Sequence, residues 1–412
     1  MKINSTKISA ISKIFLLFAM VITIASCNKD LPVATPIIYP PINSSTTSIG
    51  TQINNDTTYS FFKAAATKVG MLAQLSDTTK VFTVFLPNNA AFRASGIPSI
   101  TVVNALPVAS LGGIVGYSII PGGQYSTVEV PTTFPNVQLP TTITIGTLPG
   151  TPLALKLSTF PSKRSNGFWD NNIPVLQPDI KLQNGVVHLV AGIVAPPSQV
   201  LKSAMYSEPT LTYFKAAIAR ADSGKVGLDR LDSLLGYAVT NMTVLAPNDA
   251  AFKSLIFGLA FQGYLSTRPT PYTATDTSNA TATANGAVAA GPAFFSTNNV
   301  TTALVKGILA YHFLATNAGL GFQPNIRAFS VNFSSTLSPY TTLVNIVVAV
   351  HPGIMAQATF TGPFVTSLKF TGLGTFPQGG VPYSGAPANA VKIDQHAVNG
   401  VYHIIDKVLL PQ

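Results

Sequence analysis

Groups able to bind a metal, move a proton or attack a substrate are scarce in this chain. Fourteen carboxylates, five histidines and one cysteine are spread over 412 residues, and Glu129 and Glu208 are the only glutamates. Asp394 and His396 stand two apart in what reads as a strand, so they would share one face. A tetrahedral centre needs three or four ligands, and no cluster of His, Cys, Asp and Glu has that spacing. There is no Gly-x-Ser-x-Gly elbow, no Gly-Lys-Ser/Thr phosphate loop and no dinucleotide fingerprint. Triads assemble in space, so a missing motif is not proof. Even so, this few ionisable groups points away from an enzyme, and neither a cofactor nor a metal is expected. His188 and His403 each interrupt an apolar run, where a lone histidine is usually a hydrogen-bonded core residue. Trp169, the single tryptophan, lies in Asn166-Gly167-Phe168-Trp169-Asp170. It is the one candidate platform for stacking a sugar ring; the other reading is a buried anchor.

The charge balance excludes more than it suggests. Charged residues make up 9% of the chain, and the formal net charge is +10. The basic residues are scattered, without runs and without interleaved aromatics, so weak attraction to anionic surfaces is expected and a nucleic-acid partner is not. Hydrophobic residues make up 47%, ample for true cores.

The elements that must carry these residues occur twice. Tyr59-Ser60-Phe61-Phe62-Lys63-Ala64-Ala65 is echoed by Leu211-Thr212-Tyr213-Phe214-Lys215-Ala216-Ala217. Thr83–Phe92 (TVFLPNNAAF) is echoed by Thr243–Phe252 (TVLAPNDAAF). Asn184-Gly185-Val186-Val187-His188-Leu189-Val190 is echoed by Asn399-Gly400-Val401-Tyr402-His403-Ile404-Ile405. Three blocks in one order mean that a whole domain was duplicated. Thr83–Leu86 and its partner read as strands buried on both faces, stopped by Pro87 and Pro247. Asn88 or Asn89, and Asn248 or Asp249, can cap the helix that follows. The Asn-Gly pairs predict type I′ hairpins, with strands over Asp179–Gln183 and Val186–Val190, then Ile393–Val398 and Val401–Ile405. Pro87 to His188 spans 101 positions and Pro247 to His403 spans 156, so the second copy is 55 longer. Much of the excess lies in residues 266–292, where Thr and Ala supply 14 of 27 residues. With few large apolar side chains to bury, that insertion is expected to be a flexible surface loop.

The N-terminus is a separate device. Lys2, Lys7 and Lys13 precede the apolar run Ile14–Ile24, which ends at Ala25-Ser26-Cys27. A basic start, a short apolar stretch and small residues at a cleavage point make an export signal. The one cysteine at that point resembles the lipobox of bacterial lipoproteins. The resemblance implies a signal peptide over 1–26, cleavage before Cys27 and lipidation of Cys27. Removing 1–26 leaves 386 residues and lowers the net charge to +7. Residues 27–50, with four prolines among Ser and Thr, read as a tether. An exported chain with no second cysteine has no disulfides, so its domains must hold by core packing.

Together the three blocks resemble the fasciclin (FAS1) domain, which carries a Thr-Val-Phe/Leu-x-Pro-x-Asn/Asp-x-Ala-Phe segment near its start and an Asn-Gly-Val-x-His segment near its end. The second copy matches through Asp406, Val408, Leu409, Leu410 and Pro411. The first departs at Ala191-Gly192 and Ala195. The resemblance implies an α+β architecture of two tandem FAS1-like domains, 51–200 and 201–412. Each would be a β-sandwich-like wedge packed with a helical layer. It also implies adhesion without catalysis, and a Tyr-His pair that is linked to receptor binding in animal members. Tyr311-His312 holds that place in the second copy. The first copy has Tyr117-Ser118, so its histidine is missing. Core support is the other reading for these residues. The expected function is therefore a lipid-anchored cell-envelope adhesion or binding protein of the bacterial outer membrane, facing the surface or the periplasm. Its partners would be the membrane, through the lipid, and a protein or polysaccharide of the envelope or extracellular matrix. The alternative is a glycan-binding accessory lipoprotein of a nutrient-uptake system, with Trp169 as platform.

Overall fold

The computed structural model describes residues 45–296, 300–317, 322–323, 326–373 and 386–411. Cys27, the export signal and most of the proposed tether lie outside these residues. Within them, two lobes repeat one plan. In the first lobe, helices Ile49–Asn55, Ser60–Lys68, Met71–Ser76, Ile100–Ala105 and Val108–Tyr117 accompany a six-stranded sheet. The sheet runs in the order Ile119–Pro121, Phe82–Pro87, Gly185–Val190, Ile173–Leu182, Gly167–Asp170, Pro161–Arg164. The second sheet runs Ser338–Tyr340, Ile354–Thr361, Phe364–Thr371, Ala388–Ala397, Gly400–Ile405, Met242–Pro247. In both, the first long strand lies parallel to the last: Phe82 pairs with Gly185 and Met242 with Gly400, and each register runs on unbroken for six pairs. Both early strands are buried along their whole length, as an unalternating apolar run requires.

Helix entry follows the capping expectation and resolves it. Asn88 accepts from the Ala91 N–H at 2.9 Å, and Asn248 from Ala251 at 2.8 Å. The next residue faces the preceding helix instead. Asn89 Oδ1 accepts from the Phe61 N–H at 3.0 Å, and Asp249 Oδ1 from Tyr213 at 2.9 Å. One Asn-Asn/Asp pair thus starts one helix and fastens another.

The hairpins form, but not with the expected turn. Leu182 pairs with Gly185 and Ala397 with Gly400, so the two-residue loops are Gln183-Asn184 and Val398-Asn399. None of these four has positive φ, which a type I′ turn demands at both central residues. Each asparagine is instead a buried tie. Asn184 accepts from the Ile49 N–H at 2.8 Å and donates to the carbonyls of Leu75 and Asp77. Asn399 accepts from the Leu201 N–H at 2.7 Å and donates to those of Leu235 and Tyr237. The glycine serves close approach: a Cβ on Gly185 would lie 1.9 Å from the Phe82 carbonyl oxygen, and one on Gly400 2.4 Å from that of Met242.

The insertion also differs from expectation. Residues 274–289 form a helix, not an irregular loop. Thr273 and Asp276 close a capping box at its start, and alanine, the best helix former, supplies much of its length. A helix needs little side-chain burial when Ala280 and Ala284 alone can seat it against helix Asp249–Leu265. That neighbour has 17 residues, where its first-lobe counterpart, Asn89–Ala94, has six.

The lobes share a buried contact. Phe160 and Trp169 of the first pack with Phe329, Val331 and Val401 of the second. Around them, Asn136 donates to the Arg327 carbonyl and to Asn332, Asn332 donates to Ser162, and the Arg327 guanidinium stacks over Phe160 at 4.2 Å.

Candidate functional site

The two strand histidines do the same work twice. His188 Nδ1 accepts from the Asp179 N–H at 3.2 Å, and His403 Nδ1 from the Asp394 N–H at 3.2 Å. Nε2 then donates to the carbonyl of Tyr125 at 2.8 Å and of Ala328 at 3.0 Å. Both aspartates sit in strand irregularities at φ 59° and 55°, a left-handed conformation that Asp tolerates. Their carboxylates grip Thr127 and Ser330, each through backbone N–H and hydroxyl. Thr83 accepts from the Tyr125 N–H and donates to Gly123; Thr243 accepts from Ala328 and donates to Ile326. Each network clips one loop, 123–127 or 326–330, onto its sheet. Burial holds both imidazoles below their ordinary pKa, which keeps Nδ1 free to accept.

Asp179 and Asp394 as clip partners were missed in the sequence, although the nine-residue spacing from Asp to His in both copies was a usable signal. Asp394 and His396, two apart in the sequence, have separate partners in the fold. The bulge breaks the strand's alternation, and His396 Nε2 faces Arg327 at 3.1 Å. Among the described residues, no group of three or more His, Cys, Asp or Glu could hold a metal ion.

Tyr311, His312 and Tyr117 are buried and bonded, so they offer no partner a surface. The Tyr311 hydroxyl donates to the Gly353 carbonyl and accepts from the Leu373 N–H. His312 Nδ1 donates to the Ile308 carbonyl at 2.8 Å, and Nε2 accepts from the Leu409 N–H at 2.9 Å, tying a helix end to the C-terminal segment. Burial takes this imidazole down to about 4. In the first lobe, Tyr117 donates to the Ser158 carbonyl. There Ser118 bonds the Ile114 carbonyl at 2.9 Å, so a hydroxyl does the helix-end half of the missing histidine's work.

Trp169 is fully buried, and its Nε1 donates to the Pro363 carbonyl across the lobe contact at 2.9 Å. It cannot stack a sugar, so the glycan platform is withdrawn. The physical reason is that a large ring with one donor is most useful where apolar surface meets a backbone acceptor. Beside it, Asp170 accepts from the Thr159 hydroxyl, its Oδ2 has no partner, and burial pushes its carboxyl up to about 7. Arg327 is met by neutral acceptors, Asn241, His396 and the Val398 carbonyl, and burial lowers it to about 10.

One loop exposes a run of five consecutive apolar residues. Ile346-Val347-Val348-Ala349-Val350 are all exposed, with Val347 at 87% and Val350 at 91%. The loop is braced from beneath: buried Asn345 accepts from the Thr342 N–H at 2.9 Å and donates to the His351 carbonyl at 2.6 Å. A run of exposed apolar residues on a built loop is a fault in a free molecule and an asset in a docked one. No sequence signal separated this run from a core strand.

The family model described as "Fasciclin domain" matches residues 57–196. Among solved structures, the chain is similar to the FAS1 domain pair of the insect cell adhesion molecule fasciclin I. The two are 14% identical, with 87% of this chain and 98% of that chain covered and a TM-score of 0.31. No curated protein matches the chain. No helix among the described residues is long and apolar enough to cross a membrane.

Proposed function

Residues 57–196 belong to the fasciclin domain family, whose members are in general adhesion or binding modules without catalysis, and from that premise we propose that this chain is a lipid-anchored adhesion protein of the bacterial cell envelope. Cys27 carries the lipid, residues 27–50 span the gap, and the lobes meet a protein or polymer of the envelope or matrix. The observation that carries the binding role is the braced, exposed Ile346–Val350 loop, set against histidines that are bonded into the fold. An apolar loop with so little shielding favours a protein partner over a sugar.

Two substitutions test the parts separately. Cys27→Ser should move the chain from the membrane fraction to the soluble one; membrane association that survives both this change and high salt would remove the anchor. Val347→Asp with Val350→Asp, both at solvent, should leave the fold intact and abolish capture of an envelope partner in a pull-down. Capture equal to that of the unaltered chain would take the loop out of the reading.

A further inference from the structure

The extra residues of the second copy help to wall a cavity. It measures about 610 Å³ and lies among helices Thr212–Ala221, Asp249–Leu265 and Thr302–Ala310, the end of Ala274–Ala289 and the segment Gly291–Ser296. That volume falls within the range of small-molecule sites. Such sites normally add a few polar groups to fix orientation, yet every residue lining this one is Ala, Val, Leu, Ile, Phe or Gly. Its long wall is helix Asp249–Leu265, whose middle stretch Leu255-Ile256-Phe257-Gly258-Leu259-Ala260-Phe261 is apolar on every side. Leu255, Ile256, Leu259, Ala260 and Gly263 line the cavity, while Phe257 and Phe261 stack on each other at 5.9 Å. From Phe252 to Gly263 this wall runs about 16 Å at the helical rise of 1.5 Å per residue. Part of the facing wall is Ala287 and Ala290, whose methyl groups leave space that larger side chains would fill. A Cβ added at Gly263 would meet nothing within 4 Å. The first lobe has neither the 17-residue helix nor a counterpart of 274–289, so the extension of the one wall and the alanines facing it are particular to the second copy.

We propose that this cavity holds one long acyl chain of a lipid or fatty acid. A peptide would bring backbone N–H and C=O groups that this lining cannot pair, at the full cost of desolvation. A polar ring system would lack any group to orient it. A flexible hydrocarbon chain needs only length and apolar contact, and the wall supplies both. The assignment stands independently of the adhesion reading, since the cavity and the Ile346–Val350 loop share no residue.

The test is a fluorescence titration of the full-length chain carrying Cys27→Ser, with cis-parinaric acid as probe and palmitate as competitor. One saturable site, emptied by palmitate, is expected. Gly263→Leu and Ala260→Phe, both at lining positions, should each weaken binding by about tenfold or more with unchanged far-UV circular dichroism. Gly263→Leu also replaces a poor helix former with a good one, so it keeps the test open if Ala260→Phe fails to fold. Comparing the lipidated chain separates the sources: exclusion of the probe by that form alone would identify the chain's own acyl group as occupant. Absence of saturable binding, undiminished binding by both variants, loss of binding through Val347→Asp instead, or stronger displacement by naphthalene than by palmitate would each overturn the assignment.

Discussion

Asp170 has one carboxylate oxygen bonded to Thr159 and the other to nothing, in a site closed to water. Burial raises its carboxyl to about 7, against 3.8 for the ordinary side chain. The folded state therefore keeps a proton that the unfolded chain has already released. Its contribution to stability is intact below about pH 4 and is eroded as pH rises through 7. Asp170→Asn should remove that dependence. Urea unfolding at pH 8 is expected to show the variant more stable by a few kcal/mol, ~4 at most, and the two proteins should converge at pH 4. An equal difference at both pH values would refute the assignment. His312 acts in the other direction: lowered by burial to about 4, it contributes stability above pH 6.5 that is lost as pH falls toward 4.

At the scale of elements, the duplicated clip is what turns a strand, a bulge and a loop into one unit. In the second lobe, His403 satisfies both the Asp394 N–H and the Ala328 carbonyl. His403→Leu leaves both groups buried and unpaired, a cost of about 2–4 kcal/mol in chemical denaturation. Hydrogen exchange should localise the damage: the 326–330 amides lose protection while those of 123–127, held by His188, do not. Loss of protection spread evenly over both lobes would show that the clips are not separate devices. Capping was readable in advance at Asn88 and Asn248 because it involves groups three residues apart. The role of Asn184 and Asn399 was not, since their partners lie more than 100 positions away.

At the scale of the molecule, the single tryptophan reports on the contact between lobes. Trp169 packs with residues of both and bonds Pro363 across the boundary. Its emission should be blue-shifted, insensitive to aqueous quencher and unmoved by added polysaccharide. Because the contact joins a buried apolar cluster to hydrogen bonds between the lobes, the lobes are expected to unfold together. Denaturation followed by tryptophan fluorescence and by far-UV circular dichroism should then give one coincident transition. A fluorescence change well before the loss of secondary structure would mean that the lobes part while still folded.

The sequence alone determined the duplication, the fasciclin resemblance, the strands buried on both faces and the capped helices. All of these rest on short-range patterns of apolar and hydrogen-bonding residues, repeated in order. It also restricted the chemistry, because a chain this poor in ionisable groups has little with which to build a reactive centre. Tertiary structure decided what the remaining residues face. Trp169 and Tyr311-His312 each carried a core reading and a surface reading, with core favoured, since an amphipathic side chain suits either until its neighbours are known. The insertion's poverty in large side chains was legible, but not that its small residues would form a wall with a cavity behind it. Packing between distant segments set those outcomes, and no spacing within the chain encodes it.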